Sequence, residues 1–160
     1  MAAVSTRQAE IRDAGAAIAV VRASITELCV ADHENDPEKL DRWLQNKTDA
    51  HFCRWLADPD NFLVVAELAG ALCGVGSLHR SGEIRLFYVQ PGRQGLGVGR
   101  ALLGALEQHA RTWHLGELTL NSSALARPFY EHHGFTSKGE PTCGMGVVRC
   151  FPYRKPLAAT

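Results

Sequence analysis

The run from Val89 to Arg100, Val-Gln-Pro-Gly-Arg-Gln-Gly-Leu-Gly-Val-Gly-Arg, constrains this chain more than any other segment. Residues 84–89 read as a β-strand that stops at Pro91. Four glycines follow within eight residues, and residues 100–110 then read as an amphipathic helix. A strand that feeds a glycine loop and then a helix N-terminus makes an anion site. Successive amides face outward, and the helix dipole adds roughly half a positive charge. Glycine lets the backbone approach a phosphate without a Cβ clash. The loop is therefore expected to hold a pyrophosphate.

Spacing narrows the choice. A P-loop needs Gly-x-x-x-x-Gly-Lys-Ser/Thr, and no such lysine follows here. A dinucleotide fingerprint needs Gly-x-Gly-x-x-Gly. Its last position falls on Arg100 when counted from Gly95 and on Leu102 when counted from Gly97, so both frames fail. What matches is Gln-x-x-Gly-x-Gly at Gln94, Gly97 and Gly99, after a strand that ends Tyr-Val-x-Pro. A second constellation lies about 30 residues on, with Ala126, Phe129, Tyr130, Gly134 and Phe135 in the pattern Ala-x-x-apolar-Tyr-x-x-x-Gly-Phe. Together the two motifs resemble the GCN5-related N-acetyltransferase (GNAT) family, by motif over residues 62–135 and by element order elsewhere. Ser123 stands where that family usually has Asn.

The resemblance implies a function: transfer of an acetyl group from acetyl-CoA to a primary amine of a small molecule or peptide, by direct attack in a ternary complex. Gln94, Gly95, Leu96, Gly97, Val98, Gly99 and Arg100 would hold the pyrophosphate, with Arg93 as a supplementary cation. Ser123 would meet the pantetheine arm. The Val89 amide would stand near the thioester oxygen as an oxyanion donor. Tyr130 is the implied general acid, because a phenol is protonated at neutral pH and can reprotonate a thiolate. Glu83, six residues before Val89, resembles the general base of histone-acetylating members. His79 and His33 are the other candidates for a base.

Along the chain, strands are expected at residues 9–12, 62–68, 72–79, 83–89, 117–121, 135–138 and 145–153. Helices are expected at 14–31, from Pro37 toward Thr48, and at 50–57, 100–110 and 124–132. Counting the two short helices before residue 58 as one, the order is β-α-α-β-β-β-α-β-α-β-β. That is an α/β (α+β) fold: a single GNAT-like domain over residues 1–160, with a mixed, mostly antiparallel twisted sheet flanked by helices.

A net charge of +0 argues against nucleic acid as a partner. Five cysteines without a C-x-x-C pair read as reduced thiols of a cytoplasmic protein. No stretch reads as a membrane span. The neighbours His132 and His133 diverge by about 100° on a helix, so no metal is expected. Asp32, Glu34 and Asp36 form an acidic loop that would select a cationic amine, or else a solvated capping loop. A homodimer is expected by analogy. The alternative function is a non-catalytic acyl-CoA-binding or sensor module, which needs neither Tyr130 nor Glu83. Acceptor identity and acyl length stay open.

Overall fold

The structure is a computed structural model that describes residues 3–144 and 148–158. Its sheet runs β1-β2-β3-β4-β5-β8-β6, with β7 paired to β8. The strands are β1 (Ser5–Gln8), β2 (Asn61–Leu68), β3 (Ala71–His79), β4 (Glu83–Val89), β5 (Glu117–Ser122), β6 (Thr136–Ser137), β7 (Thr142–Gly144) and β8 (Val148–Pro156). All pairings are antiparallel except β4 with β5, which are joined through helix α5 (Val98–Thr112).

Each face of the sheet carries its own core. Alternation in β2 sends Leu63 and Val65 to one side and Val64 and Ala66 to the other. The first side is covered by α1 (Ala14–Leu28), α3 (Pro37–Leu44) and α4 (Asp49–Ala57). Ala17, Val21 and Ile25 of α1 are fully buried there at helical spacing. The second side is covered by α5, whose Leu102 and Leu106 are buried, and by α6 (Arg127–His132). Gly74 of β3 lets α5 sit close, since a Cβ there would come within 2.7 Å of Val98.

Several sequence expectations shift. The first strand lies at Ser5–Gln8, not at 9–12, and residues 11–13 form a 3-10 turn. Arg7 explains the change. It bonds Asp13 through both terminal nitrogens and Glu67 on β2 through Nε, each at 2.8 Å. That clamp holds the Asp13 carboxyl below the usual carboxylate range, mainly by hydrogen bonding.

Helix α1 stops at Leu28, and a separate turn, α2 (Val30–His33), follows. His33 makes the break. Its buried Nε2 lies 2.9 Å from the Ile25 carbonyl, which also accepts the Cys29 amide at 3.3 Å, and 3.2 Å from that of Thr26, in the last turn of the helix. Its Nδ1 accepts the Asn35 amide, so Nε2 carries the proton. Helix α5 starts two residues earlier than expected, whereas α6 starts three residues later because residues 123–126 form a turn. The expected last strand, 145–153, is found as β8; residues 145–147 lie outside the described residues.

Candidate functional site

The site begins with an irregularity in β4. Leu86 pairs with Ser77 and Ile84 with Leu78, so Arg85 is one residue too many for the ladder. This bulge reverses the alternation. Ile84 packs with the α5 core, Leu86 and Tyr88 with the α1 core, and Phe87 and Val89 with the α5 core again. At the same point β4 parts from β5: their parallel pairing holds only at Glu83↔Thr119 and Ile84↔Leu120. Past Ile84 the sheet is split.

Backbone geometry gives the split its chemistry. The Gln90 amide donates to the Cys73 carbonyl of β3 at 2.8 Å. Amides alternate along a strand, so those of Phe87 and Val89 turn to the opposite edge, where β5 has diverged.

An open cavity of about 270 Å³ occupies the split and passes between the two layers. Tyr130, Phe87, Leu120, Ser123 and Ala126 line it on the α5 and α6 side, and Trp43, Lys47 and Tyr88 line it on the α3 side. Tyr130 is 4% exposed, with its ring 5.7 Å from that of Phe87 and 5.5 Å from those of Phe129 and Phe135. Burial among these rings raises its pKa well above the ordinary phenol value. Among the described residues its hydroxyl has no hydrogen-bond partner. Tyr88 is also pushed up by burial, and its hydroxyl accepts from Trp43 Nε1 at 3.3 Å. Ser123 Oγ accepts the Ala126 amide at 3.2 Å, which leaves its proton to donate.

The glycine loop continues from β4 at the wide end of the split. Gln94 braces it, with Oε1 accepting the Gly92 amide at 2.8 Å. Gly97 (φ +90°) caps α5 in a conformation that side-chain residues rarely adopt. The first helical hydrogen bond runs from the Ala101 amide to the Gly97 carbonyl, so the Val98, Gly99 and Arg100 amides have no acceptor within the helix. Val98 is buried, Gly95, Leu96 and Arg100 are exposed, and Gly99 makes room for the Phe129 ring, which a Cβ would meet at 3.0 Å. A glycine-based turn with open amides at the head of a fifteen-residue helix fits a pyrophosphate.

Other predicted residues lie apart. Glu83 does not line the cavity, and its Oε1 accepts from Arg85 Nε at 2.7 Å. His79 faces the hairpin turn, with Nδ1 2.9 Å from Ser81 Oγ. His33 is used up at the end of α1. The acidic loop is not one surface. Asp32 is buried and bonds the Ala124 amide, Glu34 pairs with Lys39, and Asp36 caps α3. Sequence reading missed Lys47, Arg85 and Arg149 as cavity residues. The one signal for the bulge was the unbroken run Leu86-Phe87-Tyr88 after Arg85, which no regular strand alternation explains. Among the described residues there is no group of three or more His, Cys, Asp or Glu placed to hold a metal ion, and no helix is long and apolar enough to cross a membrane.

Residues 29–157 match the acetyltransferase (GNAT) domain family. The chain is 31% identical over 115 residues to an IAA acetyltransferase of Azospirillum brasilense, covering 64% of this chain and 75% of that protein. A GCN5-related N-acetyltransferase from Rhodopseudomonas palustris superposes with a TM-score of 0.86 at 27% identity, over 98% of each chain. The PaiA N-acetyltransferase of Thermoplasma acidophilum, solved in complex with coenzyme A, shares the fold with a TM-score of 0.81 at 20% identity, over 96% of this chain and 99% of that one. With the split sheet, the phosphate-type loop and a match over most of its length, this chain belongs to the GNAT family and is an acetyltransferase.

Proposed function

We propose that the protein transfers an acetyl group from acetyl-CoA directly to a primary amine, of a small molecule or a peptide, with both substrates bound together. The observation that carries this reading is the cavity at the split, since it brings Tyr130 and Ser123 together with residues of both layers beside the part of β4 that β5 leaves unpaired. The amides of residues 94–100 would hold the pyrophosphate, and Ser123 would donate to the pantetheine arm. The Phe87 and Val89 amides would stabilise charge on the thioester oxygen. As the amine nitrogen bonds the carbonyl carbon and the carbon–sulfur bond breaks, Tyr130 gives its proton to the sulfur. Glu83, one-third exposed, would take the ammonium proton through solvent, behind Arg85, which lines the cavity. A cytoplasmic setting accords with the free thiols of Cys29, Cys53 and Cys73. Homodimer formation is part of the proposal, and sedimentation would test it.

The test is calorimetric titration with acetyl-CoA, with NADH as control, followed by thiol release with a panel of amines. Binding of acetyl-CoA alone and amine-dependent thiol release are expected. Absence of acetyl-CoA binding overturns the reading. Binding without transfer to any amine would favour the sensor module instead. Glu83→Gln is expected to lower kcat/KM about tenfold at pH 7, with the deficit shrinking at alkaline pH where the amine is already neutral. An unchanged profile would remove Glu83 from the mechanism.

A further inference from the structure

The α3 side of the cavity carries an uncompensated positive charge. Lys47 is 6% exposed and lines the cavity, and its Nζ donates to the Trp43 carbonyl at 3.3 Å and to Asn46 Oδ1 at 2.5 Å. Both partners are neutral, and an ammonium has three protons to donate, so one remains. Arg85 and Arg149 line the same cavity. Arg85 is paired with Glu83, but neither Lys47 nor Arg149 has a carboxylate within ion-pair distance among the described residues. No Asp or Glu is among the described residues that line the cavity. The residues outside the description (Met1, Ala2, Met145, Gly146, Val147, Ala159 and Thr160) include no Asp or Glu either.

Burying an ammonium without a counter-ion is costly, and the cost is recovered when an anion of matching geometry binds. The phosphates do not fill this role. Their loop, with Arg93 and Arg100, borders a separate groove that shares no residue with the cavity. The charge therefore belongs to the acceptor end.

We propose that the acceptor is a small amine that also carries a carboxylate, of the amino-acid type, bound with its carboxylate against Lys47 and Arg149 and its amine toward the split between β4 and β5. This rests on the acetyltransferase reading and names the substrate class for the same site. It replaces the cationic amine expected from the acidic loop, whose carboxylates are committed elsewhere. It has a chemical corollary. A cluster of cations around the amine disfavours its ammonium form and eases loss of the proton that must leave before attack.

The test compares amino acids with their carboxamides, equal in size but lacking the negative charge. Thiol release is measured with both sets for the wild type, Lys47→Met and Arg149→Met. Acids are expected to exceed amides about tenfold in kcat/KM, and Lys47→Met is expected to erase that ratio by raising KM for the acids far more than for the amides. A second readout needs no turnover: calorimetric binding of N-acetyl amino acids and N-acetyl amino-acid amides to the CoA-loaded protein. Tighter binding of the acids, lost in Lys47→Met, supports the proposal. Equal binding of the two sets, absence of binding by both, or a preference that survives Lys47→Met overturns it. Failure of the acetyltransferase reading registers separately, as absence of acetyl-CoA binding in the initial titration.

Discussion

Asp32 and Ala124 lie ninety-two positions apart in sequence, and the Asp32 carboxylate accepts the Ala124 amide at 2.6 Å. This bond ties α2 on one face of the sheet to the turn after β5, which carries Ser123 and leads into α6. The other carboxylate oxygen is buried without a hydrogen bond among the described residues. Asp32→Ala is therefore expected to lose about 2 kcal/mol of stability, because the Ala124 amide is left unpaired. Glu34→Gln should change stability by less than about 0.5 kcal/mol, since its ion pair with Lys39 is a surface one. Urea denaturation of the two variants checks this, and equal effects would mean that the bond carries no stability.

Tyr130→Phe removes one oxygen and keeps the packing against Phe87, Phe129 and Phe135. The expected result is a fall in kcat of about 100-fold with little change in KM for acetyl-CoA and no loss of thermal stability. Steady-state kinetics with both substrates varied would show it. A variant at full speed would leave reprotonation of sulfur to solvent.

Gly97 has open space where a Cβ would go, so Gly97→Ala introduces backbone strain without a steric clash. A cost of about 1 kcal/mol in stability is expected from φ +90°. The head of α5 would also shift, and KM for acetyl-CoA should rise while KM for the amine does not. Paired titrations of each substrate would separate the two.

Lys47 gives a pH signature. Burial lowers its pKa from 10.5 to about 8 in the folded chain. Below about pH 8 the lysine is charged in both states and the full cost of burying it is present. Between about pH 8 and 10.5 the unfolded chain binds more protons than the native one, so this group makes stability rise with pH. Lys47→Met should flatten that rise and raise stability at pH 7 by on the order of 1–3 kcal/mol. Denaturation at pH 7 and pH 10 would reveal a flat wild-type difference if the site is wetter than it looks.

The parts of this fold that sequence made legible are those whose chemistry is local. Pro91 and the glycines after it announce a turn in any context, and Asp36-Pro37 announces a helix start, found as expected. The hairpins at Gly70 and Gly82 were equally plain. What escaped depended on distant partners. Asp32 and His33 read as part of a polar loop because nothing local tells that His33 will cap a helix end or that Asp32 will reach Ala124. Residues 46–48 read as the tail of the helix that starts at Pro37, yet the helix ends at Leu44 and Lys47 is buried beside the cavity that Trp43 and Tyr88 also line. The bulge at Arg85 sat in plain view as a broken alternation, but its effect, turning two amides toward the split, follows only from the register with β3.

The split between β4 and β5 gives the sheet an edge in its interior. Unpaired strand edges at the rim of a sheet invite other chains to add on, and proteins blunt them with charge, bulges or proline. Here the free amides of Phe87 and Val89 lie between α3 on one face and α5 and α6 on the other, so no foreign strand can lie flat against them. The molecule can keep backbone donors available for chemistry without exposing itself to aggregation. The same enclosure explains why so short a parallel ladder, two residue pairs, suffices to join the two halves of the sheet: β4 and β5 need only meet at one corner, because the helical layers hold the rest in place.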